Sequence, residues 1–222
     1  MGELRKATEV RRIELTDAAL RIIATKGIAA LSTRSLAEEV GLTTGAIFRH
    51  FDSLDALLEA VVARVEAVLE ATYPPATLPP VEQLERFVEA RSTAVGAQLG
   101  IMRLVLSEQF LLALPKSSSA RLAACVEKTR AFVVARLREG QASGALRDDV
   151  PAEALAPVVM GTVQMLALSL PSGRAHESSA RAVRSGLLSL LRPPARARRA
   201  PTRSAAARRS EPAREVRERR AR

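Results

Sequence analysis

Glycine and proline cut this 222-residue chain into pieces of helical length, and that spacing limits the fold more than any other feature. Gly27 and Gly41 each end a segment with helical apolar periodicity. The run YPPATLPP, residues 73–80, breaks any helix. Pro115 with three serines, the stretch 144–151 and the stretch 171–173 punctuate the second half. Between the breaks, apolar residues recur at intervals of three and four. Aromatics make up only 3% of the chain, and no sustained alternation marks a strand. The expectation is an all-α protein. Helices are predicted over about 6–26, 33–40, 44–50, a fourth from Asp52 or Ser53 to about 72, then 81–99, 101–114, 118–143, 152–170 and 177–191. In the first, Val10, Ile13, Ala18, Ile22 and Ile23 form the predicted buried stripe.

The N-terminal sequence MGELRKATEVRRIELTD is charged throughout and predicts no secretory signal. The longest apolar run, 158–170, lies between two prolines and is too short to span a bilayer, so it reads as a buried core helix. The one cysteine, Cys125, leaves no intramolecular disulfide or cysteine-based metal cluster to build. Together these features predict a soluble, cytoplasmic protein without membrane association. The net charge of +10 is unevenly placed. Residues 1–55 carry eight basic and eight acidic groups, residues 56–191 fourteen and thirteen, and residues 192–222 twelve and three. Nearly all the excess therefore belongs to an Arg/Ala/Pro tail with no apolar stripe, which predicts disorder. The chain thus divides into three regions: 1–52, a three-helix head; 53–191, a larger helical domain; and 192–222, the tail.

Within the head, residues 33–50 have the spacing of a helix-turn-helix. Ala37 is small where the second helix must cross the first, Gly41 tolerates a left-handed backbone in the turn, and Thr43 can cap the second helix. Leu36, Val40, Leu42, Ile47 and Phe51 supply a small core to fix the angle. The wider string IIATKGIAALSTRSLAEEVGLTTGAIFRHFDSLDALL resembles the N-terminal domain of the tetracycline-repressor (TetR) family of bacterial transcriptional regulators. The likeness runs from residue 15 to 58. It rests on Gly27, Thr33, Leu36-Ala37, Val40-Gly41-Leu42-Thr43, Gly45, Ile47-Phe48, His50-Phe51 and Leu57. The rest resembles the family in outline only, through helix lengths and the approach REGQASGALRDDVPAEALAPVVMGTV to the penultimate helix.

The resemblance implies a homodimer on a palindromic double-stranded DNA operator, usually repressing, and released when a small molecule enters the second domain. It implies phosphate contacts from Thr33 and His50, with Thr43, Thr44 and Gly45 at the groove end of the recognition helix. Gly45 and Ala46 offer no base-reading side chain. Thr44 can meet a thymine methyl or a base acceptor, and Arg49 can reach a guanine or a phosphate. Arg34 adds positive charge, and helix N-termini at 33, 44 and 53 add backbone N–H donors. Two positions depart from the family. Phe48 stands where a tyrosine hydroxyl usually holds a phosphate, and Leu54 stands where a lysine usually does. Loss of such contacts predicts weaker binding and a flatter salt dependence. Either the tail strengthens DNA association without adding specificity, or it is a solvated, composition-biased extension without a role.

In the second domain the helix 152–170 is apolar nearly all round and must be covered on two sides. By resemblance it and the helix 177–191 pair with their copies across a two-fold axis as a four-helix interface, which predicts a dimer interface from Val159, Val163, Leu166, Val183, Leu187 and Leu190; a monomeric core is the alternative. An effector cavity is predicted among helices between residues 61 and 134. Its candidate lining is Phe87, Met102, Leu106, Phe110 and Phe132, with Arg103, Gln109 or Gln164 as polar anchors. Such a lining suits a hydrophobic or amphipathic effector. Cys125 reads as a small buried apolar residue rather than a redox sensor.

An enzyme is disfavoured by the inventory. The two histidines, His50 and His176, are far apart, no zinc or Cys/His spacing occurs, and no glycine-rich phosphate loop follows a strand. No metal or cofactor is expected. The nearer alternative is a sequence-nonspecific nucleic-acid-binding protein acting through its Arg-rich tail.

Overall fold

The computed structural model describes residues 2–97, 101, 112, 114–168 and 174–193. Regular structure among them is helical: α1 (Gly2–Lys26), a 3₁₀ turn (Ile28–Ala30), α2 (Thr33–Val40), α3 (Thr44–Phe48), α4 (Leu54–Glu70), α5 (Pro80–Ala97), α6 (Lys116–Ala142), α7 (Ala152–Leu168) and α8 (Arg174–Leu191). The all-α expectation holds, with most helix ends within a few residues of those predicted. Most of the helix expected over 101–114, and the tail beyond residue 193, lie outside the described residues.

The stripe predicted for α1 needs correcting. Ala18, Ile22 and Ile23 are buried, but Val10 and Ile13 are exposed. The buried row is Leu15, Ala18, Ala19, Ile22 and Ile23, and continuing it one turn back arrives at Arg12, not at Val10 or Ile13. Arg12 occupies that stripe position by laying its guanidinium 4.4 Å from the centre of the Phe51 ring. It also donates to the backbone carbonyl of His50.

Ser53, rather than Asp52, caps α4: its side chain accepts from Ala56 N–H at 3.1 Å. The expected domain boundary at 52/53 falls at this helix start, yet the core does not break there. One cluster runs from Leu15, Leu36, Ile47 and Phe51 through Val61, Val65 and Leu69 of α4 to Leu114, Leu122 and Ala167. A second gathers Leu84, Phe87 and Val88 of α5, Val133 and Leu137 of α6, Leu155, Val159 and Val163 of α7, and Leu187 and Leu191 of α8. Pro157 stands inside α7 on its exposed side, where water can serve the Glu153 carbonyl that the missing N–H leaves free.

The connection from α6 to α7 is tightly tied. Gly144 takes a left-handed φ of 71° to end α6. Leu146 folds back onto Gly140, where an added Cβ would lie 2.5 Å from Leu146 Cδ1. Gln141 donates to the carbonyls of Arg147 and Val150, each at 2.8 Å, and Arg147 N–H donates to the Leu191 carbonyl at 2.8 Å. The glycines at 140 and 144 therefore have distinct jobs, close approach and chain reversal. Asp149 is held by Arg147 through two contacts of 2.7 Å.

Candidate nucleic-acid interface and effector site

Local chemistry builds the head. Ser32 caps α2 by accepting from Ser35 N–H at 3.1 Å, and Ser35 Oγ returns the bond to Ser32 N–H at 2.9 Å. This is a capping box with serine in place of the usual Glu or Gln, so the sequence did not announce it. Gly41 ends α2 with φ 67°, and Leu42 N–H closes the turn on the Ala37 carbonyl at 2.9 Å. Thr43 then caps α3, accepting from Ala46 N–H at 3.3 Å. Leu36, Ala37, Ile47 and Phe51 are buried beneath the turn, with Val40 and Leu42 packed partly against them. Asp17 of α1 and Arg64 of α4 close the outside with paired contacts of 3.0 and 3.4 Å.

None of the nine residues predicted to meet DNA is buried. Arg34, Thr43, Thr44, Gly45, Phe48 and Arg49 are exposed; Thr33, Ala46 and His50 are half-buried. Phe48 is 50% exposed, a large apolar surface to leave in water at the tip of a module. Gly45 has no left-handed φ, and a Cβ there would meet nothing within 4 Å. Nothing within the chain requires glycine at that position. Sequence reasoning missed Arg12, which orients the end of α3 through the His50 carbonyl. The available signal was a cation in phase with an apolar stripe.

Residues 15–61 match the family profile described as bacterial regulatory proteins, tetR family. The head is a tetR-family N-terminal domain. Over 52 residues it is 33% identical to the HTH-type transcriptional repressor KstR2 of Rhodococcus jostii (strain RHA1), a match spanning 23% of this chain and 26% of that relative. The fold extends the likeness well beyond the head. The ketosteroid transcriptional regulator KstR2 of Mycobacterium tuberculosis superposes with a TM-score of 0.73 at 19% identity, covering 83% of this chain and 96% of the other. AibR in complex with isovaleryl coenzyme A and operator DNA gives 0.68 at 19% identity, covering 83% and 100%. At these identities the second domain shares architecture, and its residues must be read from this chain alone.

In that domain Phe87 and Phe132, two of the expected lining residues, do meet, with ring centres 5.1 Å apart. Tyr73, from the breaker segment after α4, completes the cluster at 5.8 and 5.2 Å, and its hydroxyl is 3.2 Å from Thr129 Oγ1. Gln164 is half-buried on α7. Met102, Arg103, Leu106, Gln109 and Phe110 lie outside the described residues. A cleft of about 370 Å³ opens beside Tyr73, lined also by Leu69, Glu70, Cys125 and Lys128. Cys125 is half-buried rather than buried. Burial, and then Glu66, push its thiol above the usual range, which disfavours the reactive thiolate.

Four of the six residues expected at a dimer interface, Val159, Val163, Leu166 and Leu187, are buried in the chain's own core. Their helices are apolar on more than one side, so the sequence alone could not say which side faces inward. Val183 and Leu190 of α8 are exposed, as are Val158, Met165 and Leu168 of α7. Among the described residues no helix is long and apolar enough to cross a membrane. The same residues contain no cluster of ligands able to hold a metal ion.

Proposed function

We propose that this protein is a ligand-responsive transcriptional repressor that binds a palindromic operator as a homodimer. The observation that carries the reading is Gly45. It stands exposed beside Thr44 at the start of α3, where the fold itself has no need of glycine. Close approach to a groove is a reason for a missing side chain at that point. In this reading Thr44 and Arg49 reach base edges or phosphate, Thr33, Arg34 and His50 engage the backbone, and Thr43 and Ala46 line the approach. Phe48 contributes apolar contact without a hydroxyl to hold phosphate. That AibR, of the same fold, is seen with operator DNA and an acyl-coenzyme A supports both halves of the proposal.

The partner surface would be the exposed side of α7 and α8, through Val158, Met165, Leu168, Val183 and Leu190. The buried Val159, Val163, Leu166 and Leu187 would support that surface from beneath. The effector would enter the helical domain near Tyr73, Phe87 and Phe132. Selection of fragmented DNA from the source genome at physiological salt tests the proposal. A recovered palindrome with half-sites about 34–36 Å apart, or a multiple of that, is the expected result. Recovery of unrelated sequences would overturn it in favour of nonspecific binding.

A further inference from the structure

Arg91, on α5, is only 4% exposed. Its guanidinium carbon lies 5.1 Å from the centre of the Tyr73 ring and 4.9 Å from that of Phe87, so the cation is packed against two aromatic rings. Two of its nitrogens, Nε and Nη2, are buried with no hydrogen-bond partner among the described residues. Burial lowers the affinity of the guanidinium for its proton, an effect that Tyr73 opposes. Arginine nevertheless keeps its charge in proteins; Tyr73 engages the group through its charge and a side-chain hydrogen bond, but Nε and Nη2 stay without an acceptor, which is costly for a buried charge.

The same edge of other arginines in this molecule shows what it suits. Arg64 meets Asp17 through Nε and Nη2, at 3.0 and 3.4 Å. Arg147 meets Asp149 through the same two atoms, both at 2.7 Å. Arg121 does the same with Glu66. Three times that edge holds a carboxylate two-fold, the geometry a planar fork favours. Glu70, the carboxylate whose field reaches Arg91, is already taken by Lys128 at 2.8 and 2.6 Å. The surrounding cations meet carboxylates as well, Arg121 at Glu66, Lys128 at Glu70 and Arg136 at Glu139, although Arg136 Nε has no hydrogen-bond partner. Among the described residues the paired Nε and Nη2 edge stands open on Arg91, between aromatic rings, and that edge matches a monoanion with an apolar body.

We infer that the effector is an apolar monocarboxylate, its carboxylate held by Nε and Nη2 of Arg91 and its body packed on Tyr73, Phe87 and Phe132. This rests on the ligand-responsive reading above. Tyr73 belongs both to this cluster and to the outer cleft, so an entering molecule passes the residue that covers Arg91.

The chain has one tyrosine and no tryptophan, so its intrinsic emission reports on Tyr73. The full-length protein is titrated with hexanoate, decanoate and 4-phenylbutyrate, and with the alcohol matching each acid. At least one acid is expected to change Tyr73 emission, with its alcohol binding at least tenfold more weakly. Arg91→Met is expected to raise the dissociation constant of that acid at least tenfold while melting no earlier than the parent; Arg91→Lys is expected to fall between them. The inference is overturned if no acid alters the emission, if acid and alcohol bind alike, or if Arg91→Met binds the acid as the parent does. Operator binding by the parent, measured on the same samples, separates the two readings. A protein that holds its operator but ignores every acid refutes the effector class alone. One that binds an acid but selects no DNA sequence refutes the regulator instead.

Discussion

Two arginines, one in the head and one on α5, occupy matching positions on apolar helix stripes and end differently. Arg12 continues the row of Leu15, Ala18 and Ile22, lies over Phe51 and has an acceptor in the His50 carbonyl. Arg91 continues the row of Leu84, Phe87 and Val88, lies over Tyr73 and Phe87, and has two nitrogens without acceptors. The head uses its cation to finish a structure: α3 is held before any DNA arrives. Helix α5 keeps its cation unfinished, at a cost in stability that the proposed effector would offset. In the proposed repressor, a site prepared in advance and a site left incomplete would be the two ends of a coupled switch.

The sharpest way to break this contrast is to remove the platform in the head. Phe51→Ala should cost about 3–5 kcal/mol in urea unfolding, because it empties a site 2% exposed and takes away the surface under Arg12. Since one core runs from the head into α4, fluorescence and circular dichroism should lose structure together; separate transitions would show the head to be independent. The opposite sign is expected in the other region. Arg91→Met should raise stability by about 1–3 kcal/mol, as an unpaired buried cation is replaced by an apolar chain. A loss of stability would mean that Arg91 is already satisfied.

Smaller changes sharpen the comparison within the head. Gly41→Ala should cost about 1–2 kcal/mol through its left-handed φ of 67°, read from the urea midpoint. Ser53→Ala should cost about 1 kcal/mol through the lost cap of α4. Leu54→Lys should leave stability nearly unchanged and steepen the salt dependence of operator binding by about one unit of slope. An unaltered slope would place the start of α4 away from the DNA backbone.

How much of this was legible depends on the range of the interactions. Gly41 and Thr43 act on neighbours within a few residues, so the helix-turn-helix could be read from the string itself. The Ser32 cap could not, because its partner Ser35 lacks the expected carboxylate or amide. Arg12 and Arg91 were passed over because charged residues are placed on the surface by default, although both fall in phase with buried rows. Tyr73 was hidden among prolines that read as a mere break. For α7 and α8 the apolar content was plain, but the division into an inner side with Val159 and an outer side with Met165 depends on where α5 and α6 lie.

The tie between Arg147 and the end of α8 has a consequence for the thirty residues beyond it, 193–222. Glu66–Arg121, Glu70–Lys128 and Tyr73–Thr129 make α4 and α6 run in parallel, both leading away from the head. The lengths from Leu54 to Tyr73 and from Thr129 to Ala142 then put the root of the tail about 50 Å from the head. Any group beyond residue 193 that is to reach the recognition helix has that distance to cover. If the arginines beyond residue 193 help the recognition helix at all, reach limits that help, so shortening the segment at constant charge is expected to weaken operator binding.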